Sequence, residues 1–184
     1  MTDAFAELGI PRRPWADPSV VKSQFHELAA HAHPDKGGSE DSLARLNQAR
    51  KCLASHGSRL RQLAELAFPD HQAEKTFVPD WTLFESVGNL CRHVDGWRSK
   101  RELAGSALER AVVMAGGVSL EKQAAHMIGV IHEAERIFES RLREVDARWP
   151  DVPADELLVL ADEWTFLQRS GDSLRAALAV LAGA

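Results

Sequence analysis

Apolar residues recur at helical spacing along almost the whole chain, and the punctuation between them is Gly, Pro and capping residues. Asp3 caps a short first helix over about residues 4–8, closed by Gly9. A loop through Pro11 and Pro14 leads to Asp17-Pro18, an N-cap followed by proline at the first helical position. The helix that follows carries Val21, Phe25, Leu28, Ala29 and Ala32 on one face and stops near His33, because Pro34 lacks an N–H and forces its predecessor out of α space. Lys36-Gly37-Gly38 reads as a turn, and Ser39 as the cap of a helix with Leu43, Leu46, Ala49 and Leu53 on its inner face. After a break at Ser55-His56-Gly57, a shorter helix presents Leu60, Leu63 and Leu66.

Residues 67–79, bracketed by Pro69 and Pro79, follow no period and read as a linker in which Phe68 and Phe77 pin the two halves together. Beyond Asp80 three long stripes follow. The first runs Leu83, Val87, Leu90, Val94, Trp97, Arg101, Ala104, Leu108 and Ala111, ending at Gly116-Gly117. The second, capped by Ser119, runs Leu120, Met127, Ile131, Ala134, Phe138, Leu142, Val145 and Trp149, and Pro150 ends it. The third, opened by Pro153, runs Leu157, Leu160, Trp164, Leu167, Gly171, Leu174, Leu178 and Leu181. The expected fold is all-α: a helical hairpin at residues 1–66, a linker at 67–79, and an antiparallel three-helix bundle at 80–184. The bundle has four helices if Gly96 or Gly105 splits the first.

Composition agrees. The 184 residues are 45% hydrophobic and 27% charged, with 7% aromatics and no tyrosine, poor in what strands favour. Net charge is −5, against the basic footprint of a nucleic-acid binder. Residues 1–66 hold nine Lys and Arg against eight Asp and Glu; the remainder hold thirteen against nineteen, so the back of the chain is acidic. No apolar run is long enough for a membrane span, and the first residues show no secretory signal pattern. Two cysteines, Cys52 and Cys91, fit a reducing compartment, which points to the cytoplasm.

The chemistry concentrates between Phe25 and Leu53. His33-Pro34-Asp35 stands at the corner between two amphipathic helices, the second containing Leu46-Asn47-Gln48-Ala49. A bare Pro-Asp is ordinary turn chemistry. In this setting, with Phe5-Ala6-Glu7-Leu8-Gly9 upstream, the segment resembles the J-domain, the module that stimulates ATP hydrolysis by DnaK-type chaperones. The corner proline keeps its flanking side chains exposed, and an ionised Asp35 suits the bidentate grip of a partner's arginine. The resemblance implies that Lys22, His26, His33, Pro34, Asp35, Lys36 and Asn47 meet the chaperone. His26 and His31 stand where a J-domain often has Lys or Arg, and Glu27 reverses the sign, so steering by this face is expected to be weak. Arg45, Arg50, Lys51, Arg59 and Arg61 can add positive charge, or can simply form a solvated face.

The layout is similar to the HscB-type co-chaperones of iron–sulfur cluster assembly, which join a J-domain to an acidic three-helix bundle that binds the cluster scaffold protein. Phe5-x-x-Leu8-Gly9-Ile10-Pro11, Arg59-Leu60-Arg61-Gln62-Leu63, Arg136 to Arg141 and Trp164-Thr165-Phe166-Leu167 carry that likeness. It implies a client patch of Leu83, Phe84, Val87 and Phe166, with Phe84 and Phe166 one position off their seams and facing outward. The glutamates of the family's patch are mostly missing, since Gly88, Cys91 and Arg92 stand nearby with only Asp95 acidic, and residues 98–117 look like an insertion. The alternatives are a J-protein for another client, or a helical adaptor with an inactive J-like hairpin. No nucleophile–base pair suggests an enzyme, and no cofactor is expected. Cys52 and His56 at i, i+4, with Cys91 and His93 elsewhere, do not make a zinc spacing. The tryptophans Trp81, Trp97, Trp149 and Trp164 are expected to be core or bundle-end packing.

Overall fold

A computed structural model describes residues 2–32, 39–73 and 77–183, which form seven α-helices and, among the described residues, no strand. They are α1 (Ala4–Glu7), α2 (Pro18–Ala32), α3 (Glu40–Ala54), α4 (His56–Ala67), α5 (Trp81–Leu103), α6 (Ala107–Arg148) and α7 (Ala154–Ala182). The all-α expectation holds, and most starts lie where the capping residues put them. Asp3 accepts from the N–H groups of Phe5 and Ala6 at 3.0 and 3.2 Å, and Gly9 closes α1 with φ +62°, a left-handed turn that favours glycine. Asp17 accepts from Ser19 N–H at 2.8 Å, just ahead of Pro18. Ser39 caps α3 through Ser42, whose hydroxyl reaches back to the cap.

The chain divides into two compact units. Unit 1 comprises Met1–Phe77 with Glu139–Trp164, and unit 2 comprises Val78–Phe138 with Thr165–Ala184. Within unit 1, α3 packs against α1, α2 and α4. Phe5, Leu8, Leu53, Leu60 and Leu63 are completely buried, and Leu142 and Leu157 from the later segment are as well. The ends of α6 and α7 in this unit run antiparallel: Arg141 meets Glu163 at 2.7 Å, and Arg148 meets Glu156 one layer on. Within unit 2 the buried stripes are Val87, Leu90, Val94 and Trp97 on α5, Ala124, Ile131 and Phe138 on α6, and Leu167, Leu174, Ala177 and Leu181 on α7.

The expected boundary between the first two long helices is wrong. Gly116-Gly117 ends nothing and Ser119 caps nothing, because α6 runs through both for 42 residues, about 63 Å at ~1.5 Å per residue. The break falls at residues 104–106. Ser106 Oγ accepts from Glu109 N–H at 3.2 Å, while Glu109 accepts from the N–H groups of Ser106 and Gly105 at 2.8 and 3.0 Å, a capping box that starts the helix there. The first seam therefore stops at Trp97. Leu108, expected on it, is 76% exposed, and Ala111 is exposed too. The glycine pair serves a close approach instead: a Cβ on Gly117 would stand 2.8 Å from the Trp97 ring. Trp97 Nε1 donates to the Val113 carbonyl at 2.7 Å, fixing the ring there. The bundle consequently keeps three helices even though Gly105 sits in a break. Of the two places expected for Trp81, core or bundle end, the structure gives the second: it opens α5 and is 61% exposed.

Candidate functional site

The first candidate site is the α2–α3 hairpin of unit 1. Val21 is buried, and Phe25, Leu28, Ala29 and Ala32 are half-buried, so the inner stripe of α2 is the one its spacing predicts. Leu46, Ala49 and Leu53 answer from α3. Arg50 of α3 lies 4.8 Å over the Phe25 ring, a cation–π contact that joins the pair across its middle. This packing turns the opposite face of α2 to water, with Lys22, His26, Glu27 and His31 exposed. The expected chaperone-facing residues His33, Pro34, Asp35 and Lys36 lie outside the described residues. Asn47 is half-buried, and its side-chain amide donates to the Leu43 carbonyl at 2.9 Å, one turn back on its own helix.

Several of the expected cations are engaged. Arg45 pairs with Glu7 at 3.6 Å and Arg61 with Asp162 at 2.6 Å. Arg59 is not on a solvated face at all, being only 1% exposed. Its guanidinium donates to the Pro14 carbonyl at 2.9 Å, to the Leu53 carbonyl at 2.6 Å and to Nδ1 of His56. An arginine can only donate, so His56 Nδ1 carries no proton and the ring is neutral. Burial, with the Arg59 charge beside it, pulls the His56 pKa from 6.5 to about 3. Burial likewise pulls Arg59 down to about 10. The imidazole stacks on Trp15 at 5.6 Å and meets Trp164 edge-on at 4.4 Å, with Glu139 at 3.7 Å from Nε2. Around it, Asp146 accepts from Trp15 N–H at 3.0 Å and pairs with Arg13 at 2.9 Å, and Arg143 covers the Trp15 ring at 4.2 Å. This node ties the loop before α2 and the start of α4 to the later segment of unit 1. Sequence spacing does not reveal it, since it joins three stretches, around residues 13–15, 53–59 and 139–164, that lie dozens of residues apart.

The second candidate site is the expected client patch, all of it in unit 2. Phe84 is 53% exposed and Leu83 and Phe166 are half-buried, whereas Val87 is 6% exposed and belongs to the buried stripe of α5. The seam position of Val87 explains this, because a residue three positions from Leu90 on the inner face turns inward with it. Trp81, missed by the spacing argument, meets Phe84 edge-to-face at 5.7 Å. Its place one residue after the Asp80 cap is the signal that it stands at an open helix end. Among the described residues, no group of three or more His, Cys, Asp or Glu is placed to hold a metal ion. The Cys52 thiol points to the Ser58 carbonyl and Gln62, and burial raises its pKa. No helix is long and apolar enough to cross a membrane, among the described residues.

No family model matches the chain. A stretch of 60 residues is 43% identical to the tetratricopeptide repeat and J domain-containing co-chaperone DNJ1 of Cryptococcus neoformans var. grubii. Those residues are 33% of this chain and 11% of that protein, so the chain spans only a small part of its curated relative. Among solved structures, the chaperone HscB from Vibrio cholerae aligns over 99% of this chain and 92% of its own, with a TM-score of 0.41 and 19% identity. The likeness in sequence is thus to a J-domain co-chaperone, carried by about a third of an otherwise all-helical chain.

Proposed function

We propose that the chain is a J-domain co-chaperone. Its α2–α3 hairpin recruits a DnaK-type chaperone and stimulates ATP hydrolysis there, while unit 2 holds the client on which the chaperone acts. The observation that carries this reading is the His33-Pro34-Asp35 tripeptide at the connection between two helices packed face to face. The 43% identity to a J-domain co-chaperone supports it. The chemistry belongs to the partner: the hairpin supplies a carboxylate and an imidazole to be gripped, and no paired catalytic groups of its own. The client we assign is an iron–sulfur cluster scaffold protein, on the resemblance of the opening and closing segments to HscB-type chains, with Phe84 and its neighbours on unit 2 as the contact. Localisation in the cytoplasm goes with that client.

The test is steady-state ATP hydrolysis by a DnaK-type chaperone from the same organism. Wild type stimulates it, and His33→Gln and Asp35→Asn each abolish stimulation with unchanged circular dichroism. Removing one partner of a desolvated charge pair typically costs ~2–5 kcal/mol, enough to empty the complex at working concentrations. Equal stimulation by wild type and both variants would refute the assignment. Glu27→Lys, on the exposed face beside Lys22 and His26, is expected to speed association.

A further inference from the structure

Between α5 and α6, on unit 2, runs an open cleft of about 510 Å³. Its floor is apolar: the Trp97 edge, Val112, Val113 and Leu120, with Gly116 leaving a gap between the last two where any side chain would rise. Its rim holds Arg92, His93 and Lys100. No Asp or Glu lines it, in a chain with 27 acidic residues against 22 Lys and Arg. Among the described residues no carboxylate pairs with Arg92 or Lys100; the Arg92 guanidinium meets only the neutral Asn89 amide.

The floor also has a length and a period. Val112, Gly116 and Leu120 line it at steps of four along α6, over about 12 Å at ~1.5 Å per residue, and Leu108 precedes them by one further step. Leu108 and Val112 are 76% and 64% exposed, more than lone surface apolar residues one turn apart require. A short apolar strip of about two turns, Val112 to Leu120, with a gap at its middle and cations along its edge, is complementary to one kind of occupant. That occupant is a helix with apolar residues at i, i+4 and i+7 and carboxylates flanking them. We propose that this cleft docks an acidic amphipathic helix of a partner protein. Apolar side chains seat against Val112 and Leu120 with one entering the Gly116 gap, and carboxylates meet Arg92 and Lys100. The inference goes beyond the co-chaperone reading and does not depend on it, since neither the α2–α3 hairpin nor Phe84 takes part.

The experiment titrates the full chain with two synthetic peptides of about 18 residues and identical leucine spacing, one flanked by Glu and one by Lys, and reads binding by fluorescence anisotropy. The Glu peptide binds and the Lys peptide does not, and the affinity falls as salt is raised. The double variant Arg92→Glu/Lys100→Glu weakens binding by about tenfold or more. Gly116→Leu, which fills the gap from an exposed helix position, weakens it similarly while circular dichroism stays as in wild type and melting does not fall. The proposal is overturned by equal binding of the two peptides, by no binding of the Glu peptide, or by affinity unchanged in both variants. Sedimentation with anionic vesicles that the Glu peptide fails to compete away would overturn it too, since the strip would then serve a lipid surface.

Discussion

Among the described residues, Arg59 keeps a full charge almost out of water with neutral acceptors alone: two carbonyls and the imidazole of His56. That arrangement makes His56 an acid-sensitive residue of unit 1. Its pKa is about 3 in the folded chain against an ordinary 6.5, so between those values the unfolded chain binds the extra proton. The stabilising contribution is complete above about pH 6.5 and is lost progressively as pH falls towards 3, by roughly 5 kcal/mol at most, at ~1.4 kcal/mol per unit. Melting of wild type is therefore expected to drop between pH 6.5 and 4, and His56→Gln, which keeps an acceptor for Arg59 but does not titrate, should flatten that drop. Parallel pH profiles for the two proteins would show that the imidazole is not responsible. The sequence offered no sign of this pair. A charged residue in an Arg-Leu-Arg-Gln-Leu run looks solvated, and what buries Arg59 comes from Pro14 and Leu53, with Trp15 and Trp164 closing over His56.

Helix starts were legible wherever a side chain announces them, as at Asp3, Asp17 and Ser39, because capping is a local event. The same logic applies at Ser106-x-x-Glu109, a capping box that the spacing argument passed over in favour of the neighbouring glycine pair. Glycine in a helical pattern is ambiguous. It ends a helix when the backbone needs a positive φ, as at Gly9, and continues it when a neighbour needs the room, as at Gly117 beside Trp97. The two glycines of α6 should therefore answer differently to one methyl group. Gly116→Ala places a Cβ 3.8 Å from Trp97, an ordinary contact, and should raise stability by up to ~1 kcal/mol through helix propensity. Gly117→Ala drives its Cβ into a ring held by its bond to Val113 and should lower stability by about 1–3 kcal/mol. Urea denaturation of the two variants decides it, and a stabilised Gly117→Ala would show that the helices can part there.

At the scale of the molecule, residues far apart in the chain share one core. Unit 1 takes in Glu139–Trp164 as well as the first 77 residues, and Asp146, Trp164 and Asp162 all meet residues of the first segment. A fragment of residues 1–77 alone should melt well below the full chain, by circular dichroism, because Trp15 and His56 lose the rings and carboxylate that cover them. A fragment as stable as the whole would mean those contacts contribute little. The sequence exposed the periodic faces of α5 up to Trp97, of α6 from Leu120 onward and of α7, and Phe84 as an outward aromatic. It could not show which stretches combine into one unit, because periodicity records that a face is buried and not what buries it.

The composition of unit 1 also bears on how the chain is made. A ribosome delivers the first 77 residues and then, at ~5–20 residues per second, needs roughly 5–20 s more before Trp164 exists. Throughout that interval the surfaces around Trp15 and His56 stand open on the nascent chain, with α1 to α4 present and their cover not yet synthesised. The core of unit 1 is thus closed only after Val78–Phe138 of unit 2 has been translated, although its first segment is made first.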